Sequence, residues 1–205
     1  VLIRPARPQD AEGIAEVRAA SWRAAYAGII PDMVLAQMTG PDSIRQNAES
    51  IRAGRWQLIT VAEADGRGGP GRRDGPGRRD MRLAGFASSG PERLPGAQFF
   101  SGQASQARSA PPGSAAAPAA AELYAIYVLP ALWSAGVGRS LLAEAVDRAR
   151  RERYESISLW VLEGNVRARR FYERAGFAAT GDAQVLERLG GVTEIRYRLP
   201  LRALS

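Results

Sequence analysis

Apolar positions along the chain keep two periods, one near 3.6 residues and one of two, and the change-overs between them mark the elements. Leu2–Arg4 can form a short strand. Pro8-Gln9-Asp10 then opens a helix, with Asp10 as its candidate N-cap and Ile14, Val17, Ala20 and Trp22 following at roughly helical spacing. Gly28 breaks that pattern, Pro31-Asp32 starts a second helical segment, and another runs from Pro41 to Ala53. WQLITVAE (56–63) and RLAGFASS (82–89) read as the two arms of a hairpin, and ELYAIYVLP (122–130) as a third strand stopped by Pro130. The clearest helix spans Gly136–Arg153, where Val137, Leu141, Leu142, Ala145, Val146 and Ala149 form one apolar stripe. SISLWVLE (156–163) has few polar residues and predicts a central strand. Asn165 caps a further helix ending at Ala175, with Gly176 as the left-handed residue beyond it and Phe177 as the apolar residue that follows. A last hairpin spans Phe177–Ala183 and Val192–Leu199. The predicted order is β-α-α-β-β-β-α-β-α-β-β, an α/β fold with an α+β mixed sheet.

Two stretches lack either period. Residues 64–81 contain GPGRRD twice in tandem, and 91–120 run into SAPPGSAAAPAAA, with Phe99 and Phe100 as its potential anchors. Gly, Pro and like charges bury little apolar surface, so both are expected to be solvated insertions in one domain covering 1–205. The chain is long enough for a real core without staples. No apolar run is long enough to span a membrane, and VLIRPARPQDAEG has no signal-peptide core, so a cytoplasmic protein is expected. The chain begins at Val1 rather than Met, as expected of processing or trimming.

Composition narrows the chemistry. The chain has no Cys and no His, and all 28 basic residues are Arg. This excludes disulfides, thiolate nucleophiles, Cys/His zinc sites, a Ser-His-Asp triad, lysine Schiff bases and a Walker-type loop. No metal is expected. The net charge of +7 invites a nucleic-acid reading. However, six Arg and three Asp between Ala64 and Arg82 supply +3 of it, and the remaining Arg alternate with acids, as in RRERYE. The balance argues against nucleic acid, and an Arg-rich nucleic-acid-binding protein is kept as a minor alternative.

Catalysis is therefore left to Asp, Glu, Tyr, Ser, Thr, Arg or backbone groups. YVLPALWSAGVGRSLLAEAV runs strand, glycine turn, helix. The amides of Ser134, Ala135, Gly136, Val137, Gly138 and Arg139 would face outward at the helix start, a place for a pyrophosphate, with Arg139 as counter-charge. The alternative is that the glycines only tighten a turn. In LWVLEGNVRARRFYERAGF, Asn165 and Tyr172 stand two helical turns apart on one face. Asn165 is then a plain cap or also a ligand contact, and Tyr172 a core aromatic or a hydroxyl in a site.

These two segments resemble the GNAT superfamily of N-acetyltransferases. Its pyrophosphate motif, commonly Gln/Arg-x-x-Gly-x-Gly/Ala, stands here as Trp133-Ser134-Ala135-Gly136-Val137-Gly138, with Trp in place of Gln or Arg. The signature N-x-x-A-x-x-[FL]-Y-x-x-x-G-F is present as Asn165, Ala168, Phe171-Tyr172 and Gly176-Phe177, and SWRAAYAGIIPDMVL looks like the first two helices of many bacterial members. The resemblance implies acetyl-CoA as co-substrate and direct acetyl transfer to a primary amine, of a small molecule or a peptide. It implies that backbone groups of Ile126, Tyr127 and Val128 hold the pantetheine arm, that Asn165 contacts it, and that Tyr172 protonates the leaving thiolate. The base would be Glu122, six residues before Val128, with Glu163 as runner-up or water as the mediator. Even spacing would put Glu122, Tyr124, Ile126 and Val128 on one face. The acceptor would be walled by the first two helices, which nominates Trp22, Arg23, Tyr26 and Ile30, although Trp22 and Tyr26 also suit core packing. Many members dimerise, so a homodimer is an open expectation. A non-catalytic acetyl-CoA sensor is the principal alternative.

Overall fold

The computed structural model describes residues 1–54, 59–65, 81–93 and 120–201. Its elements are β1 (Leu2–Pro5), α1 (Ala11–Ala25), α2 (Asp32–Thr39), α3 (Pro41–Arg52), β2 (Ile59–Asp65), β3 (Met81–Pro91), β4 (Ala120–Val128), α4 (Val137–Arg151), β5 (Ser156–Leu162), α5 (Val166–Arg174), β6 (Ala178–Leu186) and β7 (Val192–Pro200). The segment from Pro41 is a full helix, so three helices separate β1 from β2. Strands β2, β3 and β4 reach into the edges of the two expected insertions; the GPGRRD repeats, Phe99 and Phe100 lie outside the described residues.

Asp10 does not cap α1. Its backbone (φ −81°, ψ −7°) is already helical, at the end of a short 3-10 turn from Pro8, where a capping side chain cannot fold back. Its carboxylate instead accepts from the Arg7 amide at 2.7 Å and from the Arg4 guanidinium at 2.7 and 2.9 Å, and Arg4 also reaches Glu63 on β2. Hydrogen bonding to Arg4 holds the Asp10 carboxyl below the usual range. The pair ties β1, β2 and the entry to α1 together.

The sheet has seven strands in the order β1-β2-β3-β4-β5-β7-β6, with β4 and β5 parallel and the other neighbours antiparallel. The apolar stripe of α4, with Leu141 fully buried, packs one face against Leu123, Ile157, Leu159 and Tyr197. Helices α1 and α3 cover the other face over Val61, Phe86 and Ala125. A third cluster joins Trp22, Ile30 and Leu35 of the α1–α2 region to Leu162, Leu186 and Leu189.

Two irregularities at the centre of the sheet create the site. Parallel pairing of β4 with β5 is confined to Ala120–Leu123 against Ser156–Leu159, although both strands continue. At that point the β3–β4 register jumps: Ser89 faces Leu123 and Ser88 faces Ala125, so Tyr124 is an extra residue. A bulge bends its strand and adds twist, which turns β4 away from β5 beyond Leu123. The bulge also reverses the side-chain alternation. Ala121 and Leu123 face α4, whereas Ala125 and Tyr127 pack on the α1 side. Glu122 therefore does not share a face with Ile126 and Val128, contrary to the even-spacing expectation.

Candidate active site

Where β4 and β5 part, a cavity of about 960 Å³ opens between them. Tyr124–Val128 form one wall, Trp160–Leu162 another, and the start of α4 and one side of α5 close the end. The antiparallel ladder is phased by the Leu129 amide on Ala84 O at 2.9 Å, so Tyr127 directs its backbone to β3 while Ile126 and Val128 direct theirs to the opening. The Val128 carbonyl is already taken, by the Ser21 hydroxyl at 2.7 Å and the Trp133 indole N–H at 2.9 Å. That leaves the Ile126 amide and carbonyl and the Val128 amide to meet an extended ligand.

The glycine turn delivers a helix start without a lid. Helix α4 has no side-chain cap, and its first internal bond is Ser140 N–H to Gly136 O at 3.1 Å, so the amides of Val137, Gly138 and Arg139 lack helical partners. Ser134 (φ 68°) and Gly136 (φ 87°) are both left-handed, which points successive amides to one side. A Cβ on Gly136 would meet no atom within 4 Å, so the space above it is open, as an anion cradle requires. Ser134, Gly136, Gly138 and Arg139 line the cavity, whereas Val137 is buried in the core and Ala135 is exposed outside the lining. Trp133, at the place of the Gln or Arg, carries the Arg167 guanidinium 4.4 Å above its ring, and Arg167 also donates to the Ser134 hydroxyl at 3.3 Å. A cation from α5 thus sits beside the loop.

Asn165 and Tyr172 both line the cavity. Asn165 Oδ1 accepts from the Ala168 amide at 3.1 Å, a true cap, which leaves its amide nitrogen as a donor. Tyr172 is 7% exposed and held edge-on between Phe171 and Phe177. Burial pushes its phenol far above the ordinary value, and its hydroxyl has no hydrogen-bond partner among the described residues, so it enters the cavity as a protonated, available donor.

The sequence model of the Acetyltransferase (GNAT) family matches residues 71–177, just over half of the chain. The chain belongs to the GNAT acetyltransferase family. It is thus an acetyl-CoA-dependent N-acetyltransferase, with acetyl-CoA as co-substrate. It is 27% identical over 165 residues to the uncharacterized N-acetyltransferase YuaI of Bacillus subtilis, covering 80% of this chain and 73% of that one. Among solved structures it resembles a ribosomal-protein-alanine N-acetyltransferase from Brucella melitensis (TM-score 0.62, 22% identity, 98% and 100% coverage). It also resembles YncA of Salmonella typhimurium with acetyl-CoA (TM-score 0.60, 19% identity, 100% and 95% coverage). The paiA N-acetyltransferase of Thermoplasma acidophilum in complex with coenzyme A aligns at TM-score 0.58, 19% identity and 98% of both chains. These likenesses show the GNAT fold.

Several residues expected at the base and acceptor positions lie outside the cavity. Glu122 is 2% exposed and lies outside the cavity lining; both its oxygens are engaged by Arg93, through the backbone amide at 3.0 Å, Nε at 3.1 Å and Nη2. Glu163 is exposed and also outside the lining. Arg23 points away, donating to Thr39 O at 3.1 Å beside a separate hollow on the α1–α3 side. Trp22 and Tyr26 do line the cavity, and Ile30 packs behind them. Trp22 is 1% exposed, so it serves the core as well as the wall. Helical spacing turns Arg23 and Trp22 to different sides of α1, and only Trp22 meets the sheet. Arg167, Arg93 and Glu194, all in the cavity lining, were not singled out by sequence. Arg167 was one Arg among 28, and Glu194 one acid on an ordinary amphipathic strand.

Proposed function

We propose that this GNAT enzyme transfers acetyl directly from acetyl-CoA to a primary amine of a small molecule or a peptide. One observation carries the reading: a single cavity joins the orphan amides of α4 and the Asn165 amide to the Tyr172 hydroxyl, and continues to the aromatic wall of Trp22 and Tyr26. The amides of Val137–Arg139, with Arg139 and Arg167, would hold the diphosphate. Free backbone groups of Ile126 and Val128 would hold the pantetheine amides as an added strand does, together with Asn165. Bound acetyl-CoA supplies the thioester. The unprotonated amine attacks its carbonyl carbon, the carbon–sulfur bond breaks, and Tyr172 gives its proton to the departing sulfur. No nucleophile of the chain is needed, in keeping with the lack of Cys and His. The reading takes residues 1–205 as one catalytic domain acting in the cytoplasm, as a homodimer in the manner of many members.

The test is thiol release from acetyl-CoA by the purified full chain across a panel of amines, alongside calorimetry of acetyl-CoA binding. Amine-dependent release with acetylated product is expected. Tight acetyl-CoA binding with no release for any amine would favour the sensor reading instead.

A further inference from the structure

Glu194 is a carboxylate of the cavity that none of the roles above uses. It lies on β7 opposite Leu162 of β5, at the end where β4 and β5 have separated. Alternation along β7 separates Ile195 and Tyr197, which pack on the α4 side, from Val192 and Glu194, and Val192 belongs to the cluster around Trp22 and Ile30. Glu194 therefore stands on the α1–α2 side, opposite the pyrophosphate loop and beside the aromatic wall. Its Oε1 accepts from the Gln184 side-chain amide at 2.5 Å, and its Oε2 has no partner among the described residues. Around it stand Arg93, paired with Glu122, and, two residues along the same face of β7, Arg196, paired with Glu92 and Asp182; the buried Arg18 guanidinium and Glu194 both act on the Tyr127 phenol. Arg23 faces a different hollow, and Arg18 is 3% exposed, stacked 4.2 Å from the Trp22 ring and outside the cavity lining.

We propose that Glu194 receives the acceptor's ammonium and removes its proton, and that the acceptor is a cationic amine on an apolar or aromatic body with no carboxylate beside the amine. The inference rests on the acetyltransferase reading. A carboxylate next to the amine would meet the Glu194 carboxylate, and Arg93, the lining cation that acts on Glu194, is already paired with Glu122, whereas Trp22, Tyr26, Leu186 and Leu189 offer an apolar wall. The protons balance. One leaves the ammonium for Glu194 Oε2 and passes to solvent; the nitrogen then forms its bond to the acetyl carbon as the sulfur leaves with the Tyr172 proton. The second nitrogen proton returns to the Tyr172 oxygen. Burial, with Glu122 acting in the same direction against Arg93 and the Gln184 hydrogen bond, raises the Glu194 carboxyl above the ordinary value and nearer a useful base.

The experiment compares the wild type, Glu194→Gln and Glu194→Asp with phenethylamine and tryptamine against phenylalanine and tryptophan, from pH 6 to 10, with acetyl-CoA affinity measured in parallel. The wild type should favour the amines over the amino acids by roughly tenfold or more in kcat/KM. Glu194→Gln should lose on the order of 100-fold near pH 7 and recover as rising pH supplies free amine, with acetyl-CoA affinity unchanged. Glu194→Asp should keep part of the activity. A wild-type rate and pH profile in Glu194→Gln, or equal use of amines and amino acids by the wild type, overturns the proposal while leaving acetyl transfer standing. A wild type that acetylates none of a broad amine panel removes the acetyltransferase reading and this inference with it.

Discussion

Tyr172 brings a phenol to the cavity wall with its ring clamped by two other aromatics, so the hydroxyl can be removed without disturbing the packing. Tyr172→Phe should keep the fold and the acetyl-CoA affinity while single-turnover acetyl transfer slows by roughly 10²–10⁴. In the proposed transfer the proton is needed only as the thiolate departs, so the loss belongs in kcat rather than in the acetyl-CoA KM. Equal single-turnover rates at saturating acetyl-CoA would return Tyr172 to a packing role. Because burial raises its pKa, Tyr172 stays protonated throughout the neutral and mildly alkaline range, and a fall in rate below pH 9 should not disappear in the Phe variant.

At the scale of the element, Asn165 caps α5 through the Ala168 amide and also lines the cavity, where its amide is the proposed donor. The two uses can be separated. Asn165→Ala should cost about 1 kcal/mol of stability, a fall in Tm of about 2–4 °C, and should weaken acetyl-CoA binding. Asn165→Asp can still cap and suits the helix dipole, so its Tm should stay close to wild type. It lacks the amide donor and adds a negative charge to the cavity proposed for an anionic ligand, so acetyl-CoA affinity should fall as far as in the Ala variant or further. Thermal melts with calorimetric titration of both variants check this, and wild-type affinity in Asn165→Asp would reduce Asn165 to a cap.

Across the whole molecule, the cleft and the core place several phenols deep in protein. Burial raises the pKa of Tyr26, Tyr127, Tyr172, Tyr124 and Tyr154 above that of an exposed tyrosine. A raised folded-state pKa means that the unfolded chain releases these protons first. Their contribution to stability is complete below about pH 10, the unfolded value, and is lost as pH climbs toward the folded values. Stability should therefore drop above pH 10 by up to about 1.4 kcal/mol per pH unit for each such tyrosine. Melts followed from pH 8 to 11 should show Tm falling above pH 10 and tyrosinate absorbance appearing together with unfolding. Tyrosinate absorbance of all six phenols rising near pH 10 in the folded protein would contradict the burial account.

The sequence by itself determined most of the elements and the two segments proposed to hold the cofactor. Apolar periodicity located the helices and strands because each buries one face, and the cap, tyrosine and glycine of 165–177 are local features that fix a helix start, a helix face and a left-handed stop within one segment. Only the tertiary structure decided which side chains meet on the proposed acceptor side. Parity along β4 predicts faces only while strand pairing is regular. The bulge at Tyr124 exists through pairing with β3, so it moved Glu122 away from Ile126 and into the grip of Arg93. Asp10 likewise left its cap for Arg4, which the sheet brings to it from β1. Glu194 carries no motif; β7 packs beside β5 and so sets it at the mouth where β5 leaves β4, a neighbourhood made by strand pairings between residues far apart in the chain, Glu194 with Leu162 and Leu159 with Leu123.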